Sequence, residues 1–175
     1  SGRCDALKTY PSWVMGSHIP FHPSADAPKL VYMDNFCGAM AIAGQYHHVA
    51  IRTGDIHRAI AFYEALGFQV TERFTAGITL ACWLEGLGTR LELMQVPIPR
   101  PAPDAFGDEH YVGYYHLSLL VPDVGQCLAQ LEQRLGTAPA ILLPPTEQQI
   151  GSHRYRVAFI QDADGLPIEL MSPLQ

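Results

Sequence analysis

No stretch of the 175 residues approaches the roughly 18 to 20 consecutive apolar residues that a membrane-spanning helix needs. Nor do the first residues join a charged segment to an apolar core, as a secretory leader would. A cytoplasmic protein with no membrane partner is therefore expected. Positive charge is scarce: 11 lysines and arginines face 17 acidic residues, for a net charge of -6, and no basic run stands out. This argues against a nucleic-acid or anionic-membrane surface. Cysteine is sparse and scattered: Cys4, Cys37, Cys82 and Cys127 form no C-x-x-C pair, so reduced thiols are expected and a cysteine zinc site is not supported.

What is present suits one globular unit, since a chain this long with 48% hydrophobic residues can bury a real core. Residues 1–45 stand apart, because Pro11, Pro20, Pro23 and Pro28 break any long periodic pattern. They read as an irregular N-terminal arm. Within it, "HIPFH" (His18 to His22) has the look of a metal motif, but Pro20 removes the helix that would align the two histidines.

From Tyr46 the pattern sharpens. "YHHVAIRT" alternates like a strand, and "DIHRAIAFYEALG" follows as a helix with Asp55 as N-cap and Gly67 as its stop. Strand-like runs at 68–74, 78–85 and 89–96 complete a βαβββ unit over 46–96. A proline-rich connector covers 97–113. The pattern then repeats over 114–173: "YYHLSLLV" as a strand, a helix capped by Asp123 and stopped by Gly136 with Val124, Leu128, Leu131 and Leu135 on one stripe, and strands at 139–145, 155–162 and 166–172. The segment between 145 and Gly151 reads as a loop. "HVAIRTGD" (His48 to Asp55) and "HLSLLVPD" (His116 to Asp123) share one spacing, and duplication is the economical explanation. The expected fold is α+β, with two tandem βαβββ modules forming a curved mixed sheet around a shared cavity.

Strand alternation assigns faces, because residues two apart share a side. Val49 and Ile51 point toward the helix, leaving His48, Ala50 and Arg52 opposite. Leu91 and Leu93 leave Glu92 on the far face, and a glutamate between leucines needs a reason. The second unit repeats this, with His116 and Ser118 opposite Leu117 and Leu119, and Glu169 between Ile168 and Leu170. If the two non-helix faces enclose one cavity, His48, Glu92, His116 and Glu169 converge as two imidazoles and two carboxylates, a donor set for one divalent metal ion.

These residues carry a resemblance. The chain from Tyr46 to Ser172 resembles the vicinal oxygen chelate superfamily, and within it glyoxalase I, through "HVAIRTGDIHRAIAFYEALGF", "RLELMQVP", "HLSLLVPDV" and above all "RVAFIQDADGLPIEL". Matched one position at a time, His48 and His116 fall on the family's two histidines, and Glu92 and Glu169 on its two glutamates. The extradiol dioxygenases of the superfamily use two histidines and one glutamate, so Glu92 favours an isomerase or lyase, as in glyoxalase I and methylmalonyl-CoA epimerase.

The resemblance implies a lyase or isomerase that acts on a small molecule bearing vicinal oxygens, through a metal-stabilised enediolate, with Glu169 or Glu92 as catalytic base. It implies nickel, zinc, cobalt or manganese as the metal, and a homodimer as the assembly. The alternatives are an Fe(II) extradiol-type dioxygenase using His48, His116 and Glu169, or a metal-free drug-binding resistance protein. Of the family's three glutathione anchors only Arg52 is matched; the other two positions hold Val96 and Val112. Arg154 and Arg156 supply further positive charge for substrate. His47, His57, His110 and His153 are expected to be surface groups or to lie behind the ligands, with His110 and His153 near the cavity mouth. Phe62, Tyr63, Trp83 and Phe159 are expected in the core.

Overall fold

The computed structural model describes residues 44–174; the arm expected over 1–45, including His18 and His22, lies outside the described residues except for its last two positions. The first module runs β1 (Val49–Thr53), α1 (Ile56–Leu66), β2 (Gln69–Ala76), β3 (Thr79–Gly86) and β4 (Thr89–Gln95). The second runs β5 (Leu117–Leu120), α2 (Val124–Leu135), β6 (Ile141–Ile150), β7 (His153–Gln161) and β8 (Pro167–Pro173).

The aspartate and glycine punctuation is the pair of helix caps in each module. Asp55 accepts from the backbone N–H of His57 and Arg58, and Asp123 from that of Gln126, satisfying donors that have no partner inside the helix. Gly67 (φ 110°) and Gly136 (φ 71°) end the helices in the left-handed region, where a side chain is strained.

Each module forms its own four-stranded mixed sheet, β1-β4-β3-β2 and β5-β8-β7-β6. The mixed sheet expected from the two modules is built as two four-stranded sheets, because among the described residues β1 and β5 each bond only their own module's closing strand, in parallel. The register is the same in both: Ala50 stands opposite Glu92, and Ser118 opposite Glu169. The loop expected before Gly151 is instead a continuation of β6 to Ile150. Pro144 and Pro145 cannot donate to a ladder, but β6 is an edge strand, and register shifts between Ile141 and Leu143 and between Leu143 and Thr146 absorb them.

One apolar core serves both modules. It joins Ile56, Tyr63, Phe68, Leu91 and Leu93 from the first to Val124, Leu131, Ile168 and Leu170 from the second. Truncating a fully buried leucine such as Leu91 or Leu93 costs about 2–5 kcal/mol. The helices meet at their C-terminal ends, where Arg134 of α2 donates to the Ala65 carbonyl of α1 at 3.0 Å, a favourable place for a cation.

A polar latch also ties the modules together. The turn after β7 presents Asp164, whose carboxylate accepts from Thr53 Oγ1 at 2.5 Å, Gly54 N at 3.0 Å and Arg58 at 3.2 Å. Beside it, buried Asp162 accepts from the backbone N–H of Asp164 and Leu166 and from the Tyr63 phenol. The "QDADG" segment is therefore a clamp on the β1–α1 corner of the other module.

Candidate metal centre

The parallel register sets each histidine beside its glutamate. His48 lies immediately before β1 and two residues before the partner of Glu92; His116 lies immediately before β5 and two residues before the partner of Glu169. His48 Nε2 is 3.2 Å from Glu92 Oε2, and His116 Nε2 is 3.3 Å from Glu169 Oε2. All four side chains are mostly covered, with Glu169 and Glu92 retaining only 11% and 14% exposure. Two nearly identical pairs thus arise from two copies of one local design.

The pairs do not gather into one cluster within the chain. Among the described residues, no group of three or more histidines, cysteines and carboxylates is placed to hold a metal ion. In place of the expected convergence of His48, Glu92, His116 and Glu169, the described residues hold two separate histidine–glutamate pairs, two candidate half-sites. The reason lies in the two separate sheets: the shared core and the latch join the modules through their helix sides and the β1–α1 corner.

The surroundings of the half-sites differ. His48 Nδ1 is 2.7 Å from His47 Nδ1, and His47 Nε2 is 2.8 Å from the Arg90 guanidinium. Arg90 is held in turn by Glu85, opposite it across the β3–β4 ladder, and lies 5.4 Å from the centre of the Trp83 ring. In the second half-site His116 Nδ1 is buried and has no hydrogen-bond partner. Aromatic edges enclose its ring instead, Tyr115 at 4.6 Å and Phe159 at 5.1 Å between centroids.

Trp83 departs from the expectation that it is core, being only half-buried, whereas Phe159 is buried as expected. Trp83 pairs with Glu92 across the β3–β4 ladder, and Phe159 with Glu169 across β7–β8, so each aromatic shares the face of its module's glutamate. Neither belongs to the helix-side core, whereas Phe62 and Tyr63 do. The signal was available in alternation: Cys82 and Leu84 flank Trp83, Ala158 and Ile160 flank Phe159, and these neighbours take the core face. Phe106, from the connector, packs on Phe159 at 5.1 Å and thickens that wall.

The charged groups expected to bind substrate are dispersed. Arg52 lines a crevice of about 1110 Å³ together with Val49, Arg100, Tyr114, Leu117 and Pro167, between the β1 edge and the β5 and β8 strands. None of the four candidate ligands lines that crevice. Arg154 and Arg156 both bond Glu147 across the β6–β7 ribbon, at 2.7 and 3.1 Å, so much of their charge is already balanced. His110 and His153 are exposed.

Paired modules of this topology, each opening on a histidine and closing on a glutamate, define a class. The chain belongs to the Glyoxalase/Bleomycin resistance protein/Dioxygenase superfamily, whose family model matches residues 45–170. Among curated proteins it is similar to the uncharacterized protein YaeR of Escherichia coli (strain K12), 30% identical over 131 residues that cover 72% of this chain and 94% of that one. It is also similar to human mitochondrial methylmalonyl-CoA epimerase, 29% identical over 147 residues and 79% of either chain. Among solved structures, the glyoxalase family protein from Enterococcus faecalis shares the fold, with a TM-score of 0.58 at 24% identity over 75% of this chain and 99% of that one. No helix among the described residues is long and apolar enough to cross a membrane.

Proposed function

We propose that the protein is a divalent-metal-dependent isomerase or lyase of the glyoxalase I type, acting on a small molecule with vicinal oxygens, and that two copies of the chain complete each site. In this reading the His48–Glu92 pair of one copy faces the His116–Glu169 pair of the other. The observation that carries it is the matched pair of imidazole–carboxylate contacts, each set by the same strand register.

The residues fit a metal ion. Two donor atoms about 2.1 Å from a common ion stand roughly 3.0 to 3.4 Å apart in octahedral or tetrahedral geometry, and the two observed separations, 3.2 and 3.3 Å, fall within that span. Two imidazoles and two carboxylates suit nickel, zinc, cobalt or manganese. The unpartnered Nδ1 of His116 leaves that ring free to settle its tautomer toward a ligand on Nε2. Such an ion supplies Lewis acidity to the substrate's adjacent oxygens.

The chain's own residues supply the rest. Glu169, the more covered of the two carboxylates, takes the proton from the substrate carbon and returns it to that carbon or its neighbour, with Glu92 opposite it. Trp83, Phe159 and Phe106 form walls that exclude water from the reacting carbons. Arg52, lining the crevice beside β1, receives an anionic end of the substrate. The likeness to methylmalonyl-CoA epimerase supports the isomerase side of this reading. A full complement of four ligands supports it over a two-histidine, one-glutamate dioxygenase, and over metal-free drug binding.

The test is metal content of the purified full-length chain beside its Glu92→Gln variant. Bound metal in the wild type that is weakened in the variant is expected; a wild type that takes up no nickel, zinc, cobalt or manganese ends this reading. Iron with oxygen-dependent turnover that survives Glu92→Gln would assign the chain to the dioxygenases instead.

A further inference from the structure

The two half-sites are alike at the ligands and unlike behind them. Behind His48 stand His47 and Arg90; at the corresponding places behind His116 stand Tyr115 and Pro167, neither of which bonds the ring. The difference has a direction, because a guanidinium only donates and never accepts.

Arg90 is fixed on both sides. Its Nε and one terminal nitrogen bond Glu85, and its remaining terminal nitrogen points at His47 Nε2, 2.8 Å away. His47 Nε2 must therefore accept. A neutral imidazole has one acceptor nitrogen and one donor, so the proton of His47 sits on Nδ1. That atom lies 2.7 Å from His48 Nδ1, which must accept in its turn. The proton of His48 is thereby placed on Nε2, the ring nitrogen that faces Glu92 Oε2 at 3.2 Å. Both bonds run one way, from Arg90 through His47 to His48.

We propose that Arg90 and His47 are positioning residues that hold His48 in the tautomer with Nε2 protonated, so that the first half-site is closed to a metal ion until the Arg90–His47 bond breaks. The proposal rests on the metal reading above. Metal-binding histidines ordinarily donate their other N–H to an acceptor behind them; here the group behind His48 donates. For a metal to take the Nε2 lone pair, the Nε2 proton leaves to solvent, His47 passes its Nδ1 proton to His48 Nδ1, and His47 takes a proton from solvent on Nε2. Both rings stay neutral and no net proton is lost. His47 Nε2–H then confronts an Arg90 N–H, donor against donor, and that contact opens. His116, with nothing bonded to Nδ1, carries no such cost. The second half-site is thus the ready half and the first the gated one.

Losing a hydrogen bond to a charged group lowers metal affinity about ten- to a hundred-fold, so releasing the gate recovers that factor. The experiment uses the full-length chain and zinc, with affinity read by competition against a chromophoric chelator. Arg90→Met keeps the side-chain stem and removes the donors; His47→Ala breaks the chain and keeps the arginine's charge. Both variants are expected to bind zinc about ten-fold or more tightly than the wild type. Tighter binding in Arg90→Met alone means that only removal of a positive charge was felt, and overturns the proposal; so does weaker or unchanged binding in both. A second measurement stands apart from metal: long-range imidazole nitrogen–proton correlation in the metal-free wild type should show His48 protonated at Nε2 and His47 at Nδ1. Protonation of His48 at Nδ1 overturns the proposal. If no chain binds zinc, the metal reading falls, while the tautomers still decide whether the donor chain exists.

Discussion

The Tyr63 phenol of the first module donates at 2.9 Å to the carboxylate of Asp162 in the second, in a setting where both residues are buried. Burial raises the Asp162 pKa above its ordinary value, against the lowering effect of its backbone and phenol hydrogen bonds. Burial and the neighbouring carboxylate push the Tyr63 phenol well above its ordinary range, so it remains a donor at any working pH. The bond spans 99 positions of sequence and is one of the ties between modules.

A carboxyl group whose pKa is higher in the folded than in the unfolded chain binds more protons when folded. Stability then falls as pH rises from the unfolded value near 4 through the raised folded value. Asp162 should contribute such a slope, and Asp162→Asn should remove it. Chemical denaturation of both chains at steps between about pH 4 and pH 7 measures the difference. A difference that grows in the opposite sense would show that the hydrogen bonds to Asp162 outweigh its burial.

Removing the phenol leaves a buried acceptor short of a donor. Tyr63→Phe is expected to cost about 1–3 kcal/mol of unfolding free energy, read from denaturant midpoints at unchanged slope. An effect below about 0.5 kcal/mol would mean that the two backbone N–H groups on Asp162 suffice without the phenol.

Asp164 and Thr53 meet at 2.5 Å across the same junction. Thr53→Val and Asp164→Ala should each destabilise, and together they should cost less than their sum. A coupling of about 0.5–3 kcal/mol is expected for groups sharing one network. Strict additivity would dissolve the latch into independent contacts.

If each site takes one pair from each of two copies, His48→Ala and His116→Ala should complement. Each variant alone is inactive and binds metal poorly. Mixed in equal amounts and allowed to exchange subunits, they form a hybrid in which one site of the two has both intact pairs, giving about a quarter of the wild-type metal sites. Metal titration of the mixture reads this directly. A mixture no better than its components would place both pairs of a site on the same chain.

Metal binding to the folded chain should also raise its melting temperature in proportion to the logarithm of free metal. Chelator should reverse the rise, and Glu169→Gln should blunt it. Equal shifts in the wild type and in a chain lacking both His48 and His116 would locate the ion elsewhere.

Much of this was legible in sequence because it is local. Asp55 and Gly67, or Asp123 and Gly136, bracket a helix whose cap bonds reach only two to four residues, so spacing alone announces them. Alternation separated Glu92 from Leu91 and Leu93 because a strand turns successive side chains to opposite faces. The same rule places Trp83 and Phe159 on the faces of Glu92 and Glu169, opposite their core-facing neighbours. The strand expected over 139–145 runs on to Ile150 instead of giving way to a loop, and the position of β6 at a sheet edge makes its two prolines compatible with a strand.

By itself, then, the sequence determined the two modules, their caps and the strand face of each candidate ligand, since each follows from backbone geometry over short range or from a repeat. Whether the two pairs meet was a different matter. That depended on how the modules pack through α1, α2, Tyr63–Asp162 and the Asp164 clamp, contacts between groups some 70 to 110 residues apart. No local rule encodes such a distance, because the free energy that sets it comes from burying the shared core and satisfying a few polar groups across the junction. Tertiary structure decided that, among the described residues, the two histidine–glutamate pairs stay apart, and that His48 bonds a histidine held by Arg90 while His116 Nδ1 has no partner.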